Sequence, residues 1–219
     1  MSQQAIEDYL KHIYQLAEVE SPVGTTRLAD SLSVKPASVT NMMKKLADLK
    51  YVNYEKSRGV TLTAKGRGVA LEIVRHHRLI ELYLTEVLGF GWDEVHEQAE
   101  LLEHVISEKL EERIAEVLGH PTHDPHGDPI PTKKGQITVV ESVPLSTLTK
   151  GSTATITRVR DNANSGLLSY LAEIGVVPGV RIEVFEVAPF DGPLTLTIND
   201  GQTVIGFNVA QRVQVQVDK

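Results

Sequence analysis

The chain has 219 residues, of which 41% are apolar, and a formal net charge of −7. That is enough apolar material for one large core or two to three small ones. Zero cysteines exclude a disulfide framework and a thiolate metal site, so any bound metal must be held by oxygen and nitrogen.

No charged, apolar and small-residue leader opens the sequence, and no apolar run approaches the roughly 18 residues that cross a bilayer. The expectation is a cytoplasmic protein with no membrane partner. Ile6, Leu10, Ile13 and Ala17 step at helical spacing through AIEDYLKHIYQLAEV, and SPVG ends that helix. A short helix is predicted from about Thr25 to Leu32, then a tight SVK connection. A second helix opens at Pro36, whose missing N–H costs nothing in a first turn, and runs to about Leu49. Val39, Met42, Met43 and Leu46 form its inward side, leaving Lys35, Ser38, Thr40, Asn41, Lys44 and Lys45 outward. Two short helices with a tight turn form a helix-turn-helix pattern.

YVNYEKSRGVTLTAKGR reads as a strand, a turn at Ser57-Arg58-Gly59, a return strand, and Thr63 capping a further helix. This is a winged helix-turn-helix with Lys56 and Arg58 on the wing. Residues 1–75 carry 11 Lys/Arg against 8 Asp/Glu, a basic head on an acidic protein. That favours double-stranded DNA as partner over merely solvated lysines.

A long helix is predicted from about Ala64, broken at Gly89-Phe90-Gly91 and resuming at Trp92 as one helix through Val117. Val95, Ala99, Leu102, Val105, Ile106, Leu110, Ile114 and Val117 give it more apolar surface than one small domain needs. Such a surplus suits a homodimer seam, with an ordinary core helix as the alternative. Residues 76–140 hold 5 Lys/Arg against 13 Asp/Glu, and seven of the eight histidines fall there. On one continuous helix His96, Glu100, Glu103, His104 and Ser107 would form a line, and His77 and Glu81 another i,i+4 pair. Neighbouring carboxylates with no Lys or Arg on their line suit a divalent cation; the alternative is a solvated acidic face. Oxygen donors with one or two imidazoles favour Mn²⁺ or Fe²⁺, whereas Zn²⁺ more often takes sulfur and nitrogen.

HPTHDPHGDPIPTKKGQ is a loop rich in proline, histidine and aspartate. From residue 147 onward, short alternating runs separated by Pro-Gly, Asp-Gly and Gly predict a small β-barrel with one short helix near Gly166–Glu173. There is no HExxH, no G-x-S-x-G and no P-loop, so no enzymatic activity is expected. A binuclear metal-dependent hydrolase would use a carboxylate-rich site but leave the cationic head unexplained.

The order of IEDYLKHIYQL, SVKPASVTNMMKKL, YEKSRGVTLTAKG, RHHRLIELYL, VHEQAELLEHVIS and DPHGDPIP resembles the diphtheria toxin repressor family of metal-dependent transcriptional repressors, collinearly over about residues 5–131. The stretch YLAEIGVVPGVRIEV resembles the SH3-like, FeoA-type domain of its longer members. The resemblance implies a mainly α fold with β. Its parts are a winged helix-turn-helix domain at 1–72, a helical dimerisation and metal-binding domain at 73–140, and an SH3-like barrel at 147–219. It implies a primary metal site of Asp8, Glu100, Glu103 and His104. The implied second site is His77, Glu81 and His96, joined by His126 and Asp124 from the loop and by Asp161 from the barrel. For Asp161 the alternative is a loop aspartate capping the next helix. Iron-sensing relatives place methionine and cysteine where Asp8 and Glu100 stand, and manganese-sensing relatives place acids. The implied cofactor is therefore Mn²⁺, with Fe²⁺ the alternative and Zn²⁺ able to bind in vitro. One departure is Lys11, where short manganese regulators carry a further acid.

For DNA, the resemblance puts Lys35, Ala37, Ser38, Thr40 and Asn41 at the major groove and its phosphates, so that shape and van der Waals fit carry much of the specificity. It assigns Lys44, Lys45, Lys56 and Arg58 to phosphate contacts. The expected function is a manganese-responsive homodimeric repressor of metal-uptake genes on palindromic operator DNA; an iron- or zinc-responsive repressor is the same-class alternative.

Overall fold

The computed structural model describes residues 2–138, 140–160, 164–199 and 201–218. The chain divides into two compact units: residues 1–77 with 102–106 and 131–136, and residues 78–101 with 107–130 and 137–219.

In the first unit, α1 (Gln3–Ala17) starts where the Ser2 side chain accepts from Ala5 N, and it buries Leu10, Ile13 and Tyr14. α2 (Thr25–Ser31) and α3 (Pro36–Asp48) form the helix-turn-helix, with Pro36 opening α3 as predicted. Val39, Met43 and Leu46 are fully buried on α3, while Lys35, Ala37, Ser38, Asn41, Lys44 and Lys45 are exposed and Thr40 is half-buried. Met42 is only half-buried, so the inward side of α3 is narrower than the sequence suggests.

The wing is the antiparallel pair β1 (Val52–Glu55) and β2 (Gly59–Leu62), with Lys56 and Arg58 exposed at its turn. Val23 joins it through paired backbone bonds with Val60, each 2.9 Å. Gly59 permits that approach: its φ is +107°, and a Cβ there would lie 2.5 Å from the Val23 carbonyl oxygen. α4 (Ala64–Glu86) follows.

The predicted single helix after Trp92 is instead two: α5 (Val95–Leu102) and α6 (Glu108–Val117). Ser107 causes the restart. Its extended backbone (φ −85°, ψ 150°) and its side chain, which accepts from Leu110 N, make it an N-cap, and Glu108 and Glu111 favour the positive end of a new helix.

The second unit also holds an antiparallel sheet of β3 (Val143–Pro144), β4 (Thr153–Val159), β5 (Arg181–Val187), β6 (Leu194–Ile198), β7 (Gly201–Ile205) and β8 (Val213–Val217). Its order is β3-β8-β4-β5-β6-β7, with β3 and β7 at the edges. Among the described residues no ladder joins those edges, so the sheet is open where a barrel was expected. α7 (Ser165–Glu173), capped by Asn164, and the short α8 (Phe207–Ala210) accompany it. Leu168, Leu171, Ile156, Val184, Leu196 and Val215 centre its core, and Trp92 packs on the same cluster. Among the described residues no helix is long and apolar enough to cross a membrane.

Candidate metal centre

In the first unit, three elements bring charged groups together. α1 turns Glu7 and Lys11 inward at i,i+4, with Asp8 half-buried beside them. α4 supplies the consecutive His76 and His77, both buried. The turn after α5 supplies Glu103 and His104, which lie off the helix, so the line of five residues expected on one helix is not formed.

Glu103 is held from several sides. His76 Nδ1 donates to its backbone carbonyl at 3.1 Å, and His77 Nδ1 is 2.5 Å from Oε2. Lys11 Nζ donates to Oε1 at 2.6 Å. His104 stands between acids: Nδ1 is 2.8 Å from Glu7 Oε2, while Nε2 is 2.7 Å from Asp8 Oδ1 and 3.3 Å from Glu103 Oε1. Gln3 Nε2 donates to the other Glu7 oxygen at 2.8 Å. Burial raises the Asp8 pKa above its usual carboxylate range, opposed by the nearby His104 and Lys11.

This donor set fits a cation. An ionised carboxylate only accepts, so Glu7 accepts the Nδ1 hydrogen bond of His104, and Nε2 is the nitrogen that faces Asp8 and Glu103 and would ligate a cation. Nε2 is buried against the Asp8 carboxylate, 2.7 Å from Oδ1. One donor atom each from Asp8, Glu103 and His104 lie within 4.8 Å of one another.

A second cluster lies in the second unit, built from Glu81 on α4 and from Asp124 and His126 on the loop after α6. All three are buried, and one donor atom from each falls within 4.8 Å of the others. His126 Nε2 is 2.7 Å from the Trp92 carbonyl, which can only accept, and the two rings stack at 5.5 Å. Nδ1 then faces Glu81 Oε2 at 3.7 Å and Asp124 Oδ1 at 4.0 Å, with no hydrogen bond. Asp124 Oδ1 accepts from the backbone of His126 and Asp128, each at 2.9 Å, which shapes the loop. Arg78 lies 3.6 Å from both Asp124 and Asp128, and Arg158 on β4 pairs with Asp128.

Burial, then Asp128 and Glu81, push the Asp124 carboxyl up to about 8. Burial opposes the His126 imidazolium, but Glu81, Asp124 and the Trp92 carbonyl raise it to about 9. A site that gathers protons this way is one where a divalent cation can replace them.

Of the residues expected in these sites, His77 places Nδ1 against Glu103 in the first unit. Glu81 lies 3.1 Å from His96 Nδ1 in the second. Glu100 also lies in the second unit, 3.7 Å from His96 Nε2. Asp161 is outside the described residues. Sequence reasoning missed Glu7, His76 and the Trp92 carbonyl, and it named Lys11 only as a departure from the ligand pattern, not as a partner of Glu103. The only sequence signal was the i,i+4 series Gln3, Glu7, Lys11, which reads equally well as a solvated helix face.

Three family models match: "Iron dependent repressor, N-terminal DNA binding domain" over residues 1–60, "Iron dependent repressor, metal binding and dimerisation domain" over 63–132, and "FeoA domain" over 143–217. An uncharacterized HTH-type transcriptional regulator of Methanocaldococcus jannaschii is 46% identical over 112 residues, covering 51% of this chain and 90% of the relative. The iron-dependent repressor IdeR of Mycobacterium tuberculosis is 32% identical over 225 residues, 96% of each chain. A solved structure of a manganese-dependent transcriptional repressor in complex with manganese superposes with a TM-score of 0.89 at 37% identity, over 97% of this chain and 99% of that one.

Proposed function

The chain belongs to the iron-dependent repressor family of metal-dependent transcriptional repressors, and from that membership we propose that it is a manganese-responsive homodimeric repressor that binds palindromic operators of metal-uptake genes in the cytoplasm and has no enzymatic role. The observation that carries this reading is the convergence of His104 Nε2, Asp8 Oδ1 and Glu103 Oε1 without a sulfur donor. Hard oxygen donors with one imidazole suit Mn²⁺ better than softer ions. The manganese-bound repressor that superposes over nearly the whole chain supports the same metal. Fe²⁺ is the second reading, favoured by the full-length match to IdeR.

Asp8, Glu103 and His104 are the proposed ligands of the primary site, and Glu81, Asp124 and His126 those of the second, with His77, His96, Glu100 and Asp161 retained as further candidates. The division into domains at 1–72, 73–140 and 147–219 is likewise proposed, supported by the spans of the three family models. So is an SH3-like barrel built on the open sheet.

A bound divalent cation supplies positive charge to a cluster whose carboxylates otherwise repel. Asp8 then joins α1 of the DNA-binding head to the Glu103–His104 turn, and Glu7 holds the His104 ring in place. On the DNA side, the exposed Lys35, Ala37, Ser38 and Asn41 with the half-buried Thr40 form the proposed reading face, and Lys44, Lys45, Lys56 and Arg58 grip phosphates. If metal favours the DNA-binding conformer, operator DNA must tighten metal binding by the same factor. Fluorescence anisotropy of a labelled palindromic duplex, titrated with protein in Mn²⁺, Fe²⁺, Zn²⁺ or chelator, tests the reading. Binding in Mn²⁺ that chelator reverses is expected; binding indifferent to chelator rejects it.

A further inference from the structure

Lys11 is a lysine inside a cation site. It is 1% exposed, and its Nζ lies 2.6 Å from Glu103 Oε1, the oxygen that also faces His104 Nε2 at 3.3 Å. The other Glu103 oxygen is 2.5 Å from His77 Nδ1. An ammonium has no lone pair and cannot ligate a metal, so Lys11 can act only through its charge and its three donors.

We infer that Lys11 is a tethered cation that takes the place of a second divalent ion against Glu103 and limits the primary site to one metal. The inference rests on the Asp8–Glu103–His104 site proposed above. It follows from charge balance in a buried cluster, where uncompensated charge is strongly unfavourable. Glu7, Asp8 and Glu103 bring three negative charges around His104. One divalent cation and one ammonium neutralise them, with the imidazoles uncharged, whereas two divalent cations and the ammonium would overcharge the cluster. Replacing Lys11 by glutamate leaves four carboxylates and no internal cation, which two divalent ions match. His77 Nδ1, already against Glu103, then becomes an available imidazole donor for the added ion.

The test counts Mn²⁺ per full-length chain by elemental analysis after equilibrium dialysis and records the Mn²⁺ electron paramagnetic resonance spectrum. Lys11→Glu is expected to hold one more Mn²⁺ than wild type and to show an exchange-coupled pair where wild type shows isolated ions. A folded Lys11→Glu chain with the wild-type count and isolated-ion spectrum overturns the inference alone. A Glu103→Gln chain that keeps the full wild-type count overturns the site, and the inference with it.

Lys11→Met keeps the test decisive should the glutamate variant not fold. If Lys11 is the site's internal cation, the methionine lowers the Tm more in metal-free protein than in Mn²⁺-saturated protein, because repulsion grows faster in the more negative cluster. Equal losses with and without Mn²⁺ mark Lys11 as a packing residue and overturn the inference.

Discussion

Glu7 and His104 are separated by 97 positions in the chain, yet Glu7 Oε2 lies 2.8 Å from His104 Nδ1. Glu7 does not converge with the proposed ligand atoms; it meets the far side of the ring and so decides which nitrogen keeps its lone pair. Glu7→Ala is therefore expected to weaken Mn²⁺ binding at the primary site by about 10–100-fold, the usual cost of losing such a partner. Glu7→Gln, whose amide oxygen can still accept from Nδ1, should recover much of it. Chelator-competition titration measures the affinities, and nitrogen-15 shifts of His104 report the tautomer. An unchanged tautomer in Glu7→Ala would reject the orienting role.

Gly127 sits between the second cluster and β4. Its φ is +85°, and a Cβ there would lie 1.9 Å from the Thr157 carbonyl oxygen and 2.7 Å from Arg158 Cα. The close approach lets Val159 N donate to the His126 carbonyl at 2.9 Å. Gly127→Ala should destabilise the second unit by about 1–3 kcal/mol from the strained backbone alone, with the collision adding to it. Thermal unfolding should show a clear Tm loss, and Mn²⁺ retention at Glu81, Asp124 and His126 should fall with it. A Tm equal to wild type would show that the loop and β4 can part freely.

The helix-turn-helix and wing were legible because each local signal agreed with the next: apolar spacing in α1, Pro36 at the start of α3, and a turn at Ser57-Arg58-Gly59. The break between α5 and α6 was not. Leu102, Val105 and Ile106 continue the apolar series through it, and only Ser107, followed by Glu108 and Glu111, marks the stop. That error placed Glu103 and His104 on a helix, when the turn is what aims them at α1. The Lys11–Glu103 pair spans 92 positions, a tertiary fact that no local pattern encodes. Alternating strands likewise predicted the sheet but could not say whether its edges meet.

Leu110 and Val117 stand seven residues apart on α6, 53% and 56% exposed, and Leu101 at the end of α5 is 72% exposed. Isolated exposed apolar residues are ordinary, but a helical stripe within a span matching a dimerisation domain is a candidate seam. Leu110→Glu with Val117→Glu should weaken the dimer by about 3 kcal/mol or more, the range of interface hot spots. Light scattering across a dilution series should then find monomer where wild type is dimeric, and operator affinity should fall. A double variant that stays dimeric moves the seam elsewhere.

Lys44 is exposed on α3, beside the proposed reading face. A phosphate contact there releases a counterion, so Lys44→Ala should weaken binding to operator and unrelated duplex alike. It should also reduce the slope of log K against log salt by about 0.9. Anisotropy titrations across a salt series give both quantities. Loss of operator binding alone, with the slope intact, would place Lys44 against a base edge.

His126 and Asp124 make the second cluster sensitive to pH, and both push in the same direction. His126 titrates at about 9 in the folded chain against an ordinary 6.5, and Asp124 at about 8 against 3.8. Between the unfolded and folded values the native state binds more protons, so stability falls as pH rises, by up to about 1.4 kcal/mol per pH unit for each proton retained. The His126 contribution is complete below about pH 6.5 and lost as pH rises through about 9; that of Asp124 is complete below its ordinary range and lost through about 8. Metal-free protein should therefore show a falling Tm from pH 6.5 to 9. Mn²⁺ affinity at this cluster should move the opposite way, because the proton on His126 Nδ1 must leave before that nitrogen can ligate. Calorimetry in buffers of different ionisation enthalpy should record proton release on Mn²⁺ addition at pH 7, and His126→Gln should diminish both the release and the Tm slope. Binding without proton release would mean that the cluster is already deprotonated and that His126 faces Glu81 and Asp124 as a neutral ring.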